Sequence, residues 1–480
     1  MTSWVELTVL GVAVLAMVGI GWAFRARQTS TAEFFLAGRS LPWWAVALSF
    51  VSTEVSAATL IAVPATVYRE NCRYLQFFIG SAAARLSIAA LFIPAFYKCR
   101  CTTIYEFLAM RFGPRTRTAA TGLFFVTRLL GSAVRLMVAC VAFSVLLHWP
   151  LLPVIVGFTA VSALYTGFGG LRAVVWTGVF QGLVILAAGS AAVLFLIHRI
   201  PGGVSALIST AGAGGRLSVL HWSPSPGMTW LSDPNVLWLA ILNGFFGSLA
   251  AFGTDQDFMQ RLLAVDSREN SQRTMAWAIP VSFLTLLIYV AVGLGLYAFY
   301  VLTPGSALPA NLEEVFPNFM AREMPSLLRG FLLTAIVLAS IDSPLAALST
   351  SFVTDIYSPR RPGLPDGHYL KVSRRALWVF GGILAVTAWW FSGFDKYLWL
   401  AFKIGGVTFG SLLGVFLLGL LTERGRDGWN VSAMMGSAAA MLALLFLSEK
   451  NIFPLGWSWL VILGTVTTFS IGWAGARHGR

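Results

Sequence analysis

Long apolar runs alternate with short polar segments along almost the whole chain. A helix needs about 20 apolar residues to cross a bilayer, and thirteen runs reach or approach that length. The pattern therefore predicts an all-α polytopic membrane protein with thirteen transmembrane helices. The predicted membrane-spanning segments are residues 5–24, 41–67, 73–97, 118–147, 151–168, 171–197, 232–260, 274–302, 326–357, 372–393, 396–421, 430–448 and 455–475.

Composition and charge agree with this class. Apolar residues make up 57% of the chain and charged residues 11%, which is far from the norm for soluble domains. The net charge of +13 does not indicate a nucleic-acid partner, because the basic residues lie between the apolar runs. Twenty-one of them fall on one side of the predicted membrane and eight on the other. The positive-inside rule then places the amino terminus outside and the carboxyl terminus in the cytoplasm.

The histidines and cysteines do not suggest an enzyme. All five histidines fall at or beyond the ends of predicted spans, and the four cysteines show neither a metal-type nor a disulfide-type spacing. The sequence therefore lacks the His and Cys clusters that a metalloprotease or a redox protein within the membrane would need.

An acidic residue, Asp342, lies near the middle of the ninth predicted span, beside Ser340 and Ser343. A carboxylate at membrane depth is costly and normally faces a cation, a buried partner or a water-filled pathway. Hydroxyl oxygens nearby suit a hard monovalent cation, so the pattern predicts an ion site. The alternative is a polar helix-packing seam in which Asp342 is salt-bridged to a neighbouring helix.

Two predicted spans contain patches that favour local unwinding. Residues 49–59 are polar and β-branched in the second span, and residues 243–247 read Asn-Gly-Phe-Phe-Gly in the seventh. Interrupted helices at corresponding places in two halves indicate an inverted-repeat transporter, whose site lies at the breaks. Ordinary glycine or serine helix packing is the alternative for each patch. The side chains predicted to line the solute cavity are Thr53, Ser56, Thr59, Gln76, Asn243 and Phe246.

Charged side chains at membrane depth help to predict the chemical class of the solute. Arg128 and Arg135 are seven residues apart and therefore share a helix face, and a rise of ~1.5 Å per residue puts Arg128 roughly 15 Å into the membrane. A guanidinium there would clamp a carboxylate, so Arg128 and Glu54 join the predicted solute-binding residues. Alternatively Glu54, Arg128, Arg135 and Lys403 form internal salt bridges, and a pair between Glu54 and Arg128 would leave a neutral site for sugars or polyols.

Five motifs in the same order resemble landmarks of the sodium:solute symporter family. They are FLAGRSLPWW at 35–44, LYTGFGGLRAVVWT at 164–177, GTDQ at 253–256, QR at 260–261 and TDIY at 354–357. The resemblance covers nearly the whole chain. It implies sodium-coupled uptake by a LeuT-type core of two inverted five-span repeats in a single transmembrane domain, 1–480. The repeats would be residues 41–197 and 232–421, with one extra helix before them and two after.

The resemblance also implies a principal sodium site, held by carbonyls of the first core span and by oxygens of the eighth. The positions that match it are Ser52, Val55, Ile336, Ala339 and Ser340.

The chain departs from the family pattern at two of the matching positions. Ala339 stands where a serine hydroxyl is common, and Gly178 stands where many members with a second sodium site carry an aspartate. The usual partners of that aspartate align with Asp342 and Ser343. We hypothesise that Asp342 supplies an anionic ligand for sodium near Ser340 and Ser343; the alternative is that it binds a proton and that H⁺ is the coupling ion.

A cytoplasmic gate is predicted at the end of the seventh span. Asp255, Asp257 and Arg261 would form it with Arg172 or with Asp355, although a solvated helix terminus is the favoured alternative for Asp257. Lys403 is a further candidate. It begins a glycine-rich helix that resembles the family's tenth core span, and it would either form a structural ion pair or take part in the gate.

Together these observations predict sodium-coupled symport of a small polar organic solute by alternating access. A carboxylate-bearing solute is favoured, such as a monocarboxylate, a sialic acid or an amino acid. We expect a monomer in a plasma membrane, the bacterial cytoplasmic membrane, with no nucleic-acid partner. The alternatives are a proton-coupled sugar or polyol symporter and a sensor with a transporter fold, against which the absence of an appended signalling domain argues.

Overall fold

The computed structural model describes residues 4–147, 149–225, 227–306, 308–341, 344–393, 397–450, 452–453, 455–456 and 458–475. Most of these residues are helical. The helices are α1 (Trp4–Ala23), α2 (Thr31–Leu36), α3 (Trp43–Glu54), α4 (Ala57–Arg69), α5 (Leu75–Ser87), α6 (Ile93–Cys99), α7 (Ile104–Arg111), α8 (Pro114–Leu147), α9 (Leu151–Arg199), α10 (Gly203–Ala213), α11 (Leu237–Gly253), α12 (Gln256–Leu263), α13 (Arg268–Leu302), α14 (Val315–Glu323), α15 (Ser326–Ile341), α16 (Leu345–Ser351), α17 (Ser358–Arg360), α18 (Asp366–Phe391), α19 (Tyr397–Leu421), α20 (Asp427–Glu449) and α21 (Ser458–Ala474).

The described chain forms no β-strand, and its one extended pairing is a single parallel bridge between Leu41 and Val265. Six helical segments in the described ranges are long and apolar enough to cross a membrane, and two bent helix pairs raise that number to eight. The prediction of an all-helical membrane protein is therefore confirmed. Around the long helix α9 pack α1, α3, α13, α15 and α18, while α19, α20 and α21 pack on one another.

Helix α9 contains the tight turn that the glycine pair predicts. Its 49 residues exceed what a single crossing needs, since about 20 suffice. The helical backbone is interrupted at Gly170, whose φ of 55° and ψ of −150° only glycine adopts at low cost. A Cβ there would also lie 2.6 Å from the carbonyl oxygen of Phe34. Both the dihedral angles and the close approach therefore require glycine at this turn.

The first bend lies inside the polar patch of residues 49–59. Helix α3 ends at Glu54 and α4 begins at Ala57, and the two axes meet at 61°. Ser56 caps α4 by a reciprocal capping box with Thr59. The interruption predicted for this patch is thus present in the structure.

The second bend is not where the sequence was expected to unwind. Residues 243–247 lie within the continuous helix α11, and the chain bends by 65° between α11 and α12 instead. A Cβ at Gly244 would overlap the carbonyl oxygen of Phe77, and a Cβ at Gly80 would overlap that of Ile241. The prediction of an unwound turn at 243–247 is therefore wrong, because its glycines allow α11 and α5 to cross in backbone contact.

The ninth predicted span contains two α-helices among the described residues. Helix α15 ends at Ile341, α16 begins at Leu345, and a π-helical turn follows at Phe352–Tyr357. Asp342 and Ser343, which fall between the two helices, lie outside the described residues.

The expectation about the cysteines needs one correction. Cys99 and Cys101 form a disulfide, with their Cα atoms 5.2 Å apart, inside the usual range. Arg100 between them has a φ of 52°, and this left-handed turn brings the two side chains to the same side. Spacing along the sequence alone gave no sign of that turn.

Candidate ion and solute site

The carboxyl end of α3 presents backbone oxygens at the first bend. Val55 is extended, with φ −75° and ψ 129°, and the amide of Ser56 faces Thr59 Oγ1 at 3.4 Å. That amide therefore does not continue the hydrogen-bond pattern of α3 towards Ser52. The end of a helix carries about half a negative charge, so this bend is suited to hold a cation.

A guanidinium already lies at this helix end. Arg135 on α8 donates from Nη2 to the carbonyl oxygen of Thr53 at 2.9 Å and to that of Glu54 at 3.3 Å. The hydroxyl of Thr53 is turned back onto the carbonyl of Ser49 at 2.8 Å. The backbone of α3, rather than its side chains, is thus the surface that faces Arg135.

Arg135 also lines a narrow cavity of about 20 Å³ between α8, α9, α15 and α18. Its polar lining on α9 comes from Thr159 and Ser162, and Ala339 and Pro344 line it from the region of the ninth span. This volume holds about one water molecule. Helices must therefore move apart before an organic solute enters.

The positions that match the family's sodium site are buried where the structure describes them. Ser52 is 1% exposed and donates its hydroxyl to the carbonyl of Ser49 at 2.9 Å. Ile336 and Ala339 on α15 are 5% and 2% exposed. The side chain of Ser340 lies outside the described atoms, as do Asp342 and Ser343, so their ligand roles stay predictions.

Arg128 is held by carboxylates. Its Nη1 lies 3.2 Å from Asp255 Oδ2, and its Nη2 contacts Asp257 Oδ2. Asp257 in turn faces Arg261, whose Nη1 lies 2.5 Å from Asp257 Oδ1. We call Arg128, Asp255, Asp257 and Arg261 the inner cluster. All four are at most 9% exposed, so the expectation that Asp257 is a solvated helix terminus is wrong.

The second bend explains the geometry of the inner cluster. Asp255 caps the amino end of α12, where its Oδ1 accepts from the amide of Asp257 at 2.8 Å. Carboxylates in the first turn of a helix are stabilised by its dipole. The 65° bend then points both aspartates at α8 and Arg128.

The inner cluster extends to the position where the family aspartate is missing. Arg261 Nε donates to Ser49 Oγ at 3.2 Å, and a Cβ at Gly178 would overlap that hydroxyl oxygen. Ser49 therefore fills the space that a side chain at 178 would need. The carboxylate beside Arg261 comes from Asp257 instead.

Glu54 belongs to a different ion pair. Its carboxylate contacts Arg85, which is fully buried, and accepts from Ser282 Oγ at 2.6 Å. The Arg85 guanidinium lies 5.3 Å from the ring centre of Phe78 and 5.0 Å from that of Phe252. The alternative pairing of Glu54 with Arg128 is therefore wrong, because each side chain has other partners on nearer helices.

Gln76 does not line the central cavity. Its Nε2 donates to the carbonyl of Asn235 at 3.0 Å, and its Oε1 accepts from the amide of His221 at 2.9 Å. It thereby fastens an outer loop to the start of α5. Asn243 is buried on α11, and the ring of Phe246 packs edge-on against that of Phe245.

The predicted gate partners are separated. Arg172 donates to the carbonyl of Ala37 and to Ser40 Oγ, both at 2.7 Å, and so holds the segment after α2 rather than Asp255. Asp355 Oδ1 accepts from Thr103 Oγ1 at 2.7 Å. In this conformation Arg128, rather than Arg172 or Asp355, is the ion-pair partner of Asp255 among the described residues, so the role of Arg172 and Asp355 in a gate stays a prediction. Lys403 lies on α19, and its side chain is outside the described atoms.

Comparison with known proteins identifies the family. The family model described as "Sodium:solute symporter family" matches residues 34–438. The chain belongs to this family. It is therefore a membrane transporter that couples sodium to a solute, which confirms the prediction of a sodium-coupled transporter rather than an enzyme.

The relatives extend over nearly the full chain. The sodium/sialic acid symporter SiaT of Proteus mirabilis (strain HI4320) is 28% identical, covering 97% of this chain and 95% of its own. Human sodium-coupled monocarboxylate transporter 1 is 27% identical, covering 94% and 74%. A solved structure of a Na⁺-coupled sialic acid symporter in a substrate-bound outward-open state matches with a TM-score of 0.86 and 25% identity, covering 98% and 97%.

The buried arginines were easier to predict from the sequence than the groups that they contact. Arg128 and Arg135 were predicted at membrane depth, but the acceptors that they meet lie on other helices. One signal was available for the second bend. The run from Thr254 to Gln256 has the aspartate cap typical of a helix start.

Proposed function

We propose that this member of the family is a sodium-coupled symporter of a small carboxylate-bearing solute, and that Arg135 recognises the carboxylate. The observation that carries this proposal is the position of Arg135, which lines the central cavity while donating to the backbone at the end of α3. Arg128 lines the same cavity, but it is already engaged by the carboxylates of Asp255 and Asp257. A carboxylate is a stronger, bidentate acceptor for a guanidinium than a neutral carbonyl.

The relatives support the same chemistry. Sialic acids and monocarboxylates, the solutes in the names of the relatives, both carry a carboxylate. A symporter must also couple the binding of the solute to the binding of the ion, and the contact between Arg135 and α3 provides such a coupling. A solute that displaces Arg135 from the α3 carbonyls would leave those oxygens to a cation, so that solute and ion binding favour one another.

We further propose that sodium binds at the carboxyl end of α3 and the facing end of α15. The ligands would be the carbonyls of Ser52 and Val55 with oxygens of Ile336, Ala339 and Ser340. Asp342 and Ser343 would bind a second sodium ion or complete the first site. The buried, apolar surroundings of α15 strengthen any such ion contact.

The architecture proposed for this function has thirteen crossings, with inverted repeats at 41–197 and 232–421 in one domain. The distribution of Lys and Arg supports an outer amino terminus and a cytoplasmic carboxyl terminus. We propose that the protein works as a monomer in the bacterial cytoplasmic membrane.

Uptake into proteoliposomes tests the proposal. We expect an inward sodium gradient to drive accumulation of radiolabelled N-acetylneuraminate or pyruvate, and not of the uncharged sugar N-acetylmannosamine. Arg135→Gln should abolish uptake, whereas Arg135→Lys should retain a fraction because it keeps the charge without the fork. The control is Arg199→Gln, which removes an exposed arginine paired with Glu323 and should leave uptake unchanged.

Two outcomes would contradict the proposal in different ways. Uptake that follows a pH gradient without sodium would make H⁺ the coupling ion. Undiminished carboxylate uptake by Arg135→Gln would remove Arg135 from the site.

A further inference from the structure

A second and larger cavity lies on the predicted outer side, between the end of α4, the start of α5 and the loop from 214 to 235. Its volume is about 510 Å³, within the range typical of small-molecule sites. We call it the outer pocket. The charged groups in its lining are Glu70, Arg73 and Arg216, and Ser225 and Asn235 line it from the loop.

The two arginines give the outer pocket a positive character. Among the described residues, no carboxylate lies within ion-pair distance of Arg73 or Arg216, and the Nε of each is buried without a hydrogen-bond acceptor. Arg73 donates from Nη1 to Ser225 Oγ at 3.3 Å. The carboxylate of Glu70 lies 3.8 Å from Arg69, a pairing that offsets its charge.

Arg216 is fixed in position by neutral groups. Its Nη1 donates to the carbonyls of Arg69 and Glu70 at 2.8 and 2.5 Å, and its guanidinium lies 4.6 Å from the ring centre of Tyr297. The adjoining glycines, Gly214 and Gly215, put no side chain between it and the cavity. These contacts hold the cation in place without neutralising it.

The loop that closes the outer pocket is also held firmly. Asp233 is fully buried and accepts from the amides of Ser225 and Asn235, both at 2.8 Å. Gln76 ties the same loop to α5 through Asn235 and His221. The outer pocket is therefore a preformed site rather than a gap between mobile segments.

We infer that the outer pocket binds the carboxylate of the solute before the solute reaches the central cavity. This inference rests on the proposed function, since it assumes an anionic solute. A preformed pocket with two unneutralised guanidinium groups recognises a small monovalent anion by charge and by paired hydrogen bonds. Positive groups on an outer surface also raise the rate at which anions arrive there, in a way that salt weakens.

The test is the ionic-strength dependence of sodium-driven N-acetylneuraminate uptake by Arg73→Gln. We expect KM to rise about three- to tenfold at low ionic strength, kcat to stay unchanged, and kcat/KM to depend less steeply on salt than in the wild type. Arg73→Lys should recover most of the loss, because it keeps the charge. The matched control is Arg199→Gln, which removes an exposed arginine that pairs with Glu323 away from the outer pocket and should leave both KM and the salt dependence unchanged.

One further variant and one change of anion distinguish solute recognition from other roles of Arg73. If Arg73 only fastens the loop through its hydrogen bond, Ser225→Ala will reproduce the effect of Arg73→Gln, and the inference is overturned. Chloride has the same charge as a carboxylate, so the assays are repeated with methanesulfonate in its place. If Arg73→Gln raises KM in chloride buffer but not in methanesulfonate buffer, the outer pocket binds chloride, and the inference is overturned as well.

Failure of this inference is separable from failure of the proposed function. If the wild type accumulates no carboxylate, the proposed function fails. If the wild type accumulates N-acetylneuraminate but Arg73→Gln has the same KM and salt dependence, only the outer pocket loses its role.

Discussion

Neutralising Asp257 should damage the protein more than neutralising Asp255. Among the described residues, Asp257 forms ion pairs with both Arg128 and Arg261, whereas Asp255 forms one with Arg128. Two aspartates and two arginines make the cluster electrically neutral. Asp257→Asn removes one of the two negative charges that face Arg128 and Arg261, in a part of the molecule that is almost completely buried.

The expected magnitude follows from these distances. Unit charges 3.2 Å apart, the separation of Arg128 and Asp255, attract by about 5 kcal/mol at an effective dielectric constant of 20. Burial of the charges offsets much of this attraction, and loss of one partner of a buried pair costs about 3–5 kcal/mol. We expect Asp257→Asn to lie at the upper end of that range and Asp255→Asn below it.

The assay is thermal unfolding in detergent with a double-mutant cycle. Asp257→Asn and Arg128→Gln should each lower the apparent Tm by several degrees, while the double variant, which restores neutrality, should lose much less than their sum. The control is Glu323→Gln, because its partner Arg199 is 45% exposed and exposed pairs contribute less than about 1 kcal/mol. Additive effects of the two single variants would refute the reasoning, since they would show that the charges do not interact.

Three further predictions follow from other parts of the structure. Gly244→Ala should lower the apparent Tm and reduce the yield of folded protein, because its methyl group would displace the backbone at Phe77; an unchanged Tm would contradict the close crossing. Glu54→Gln should destabilise the protein more than Glu54→Gln combined with Arg85→Met, as unfolding in detergent would show, because the double variant leaves no buried charge. Burial raises the pKa of Asp233, but hydrogen bonds from the neighbouring amides prevail and hold it below its usual range. The stabilisation is therefore present at neutral pH and is lost as the pH falls below about 4, so hydrogen exchange in residues 214–235 should rise in acid, and Asp233→Asn should remove that dependence.

Much of the fold was predictable because it depends on local pattern. Apolar runs give the helices, and the turn at Gly170 follows from a residue type that suits its backbone angles. The polar patch at 49–59 contains the bend because Ser56 and Thr59 provide a capping box at that place. These features need only neighbours in sequence.

The partners of the buried charges were not predictable in the same way. Arg128 meets Asp255 and Asp257 more than 120 residues later, and only the bend after α11 brings them together. The run at 243–247 contains two glycines, which are equally consistent with an unwound turn and with a close helix crossing. The backbone of α5 decides between these readings, and it lies far away in the sequence.

The contact between α5 and α11 has a mechanical consequence. Backbone meets backbone at Gly80 and Gly244, and Ser248 and Ser81 join their hydroxyls at 2.7 Å one turn further on. No side chain separates the two backbones at these glycines, so α5 and α11 should move together as one rigid body. Helices that move apart beside Arg135 should then move relative to this rigid pair, without sliding of α5 against α11.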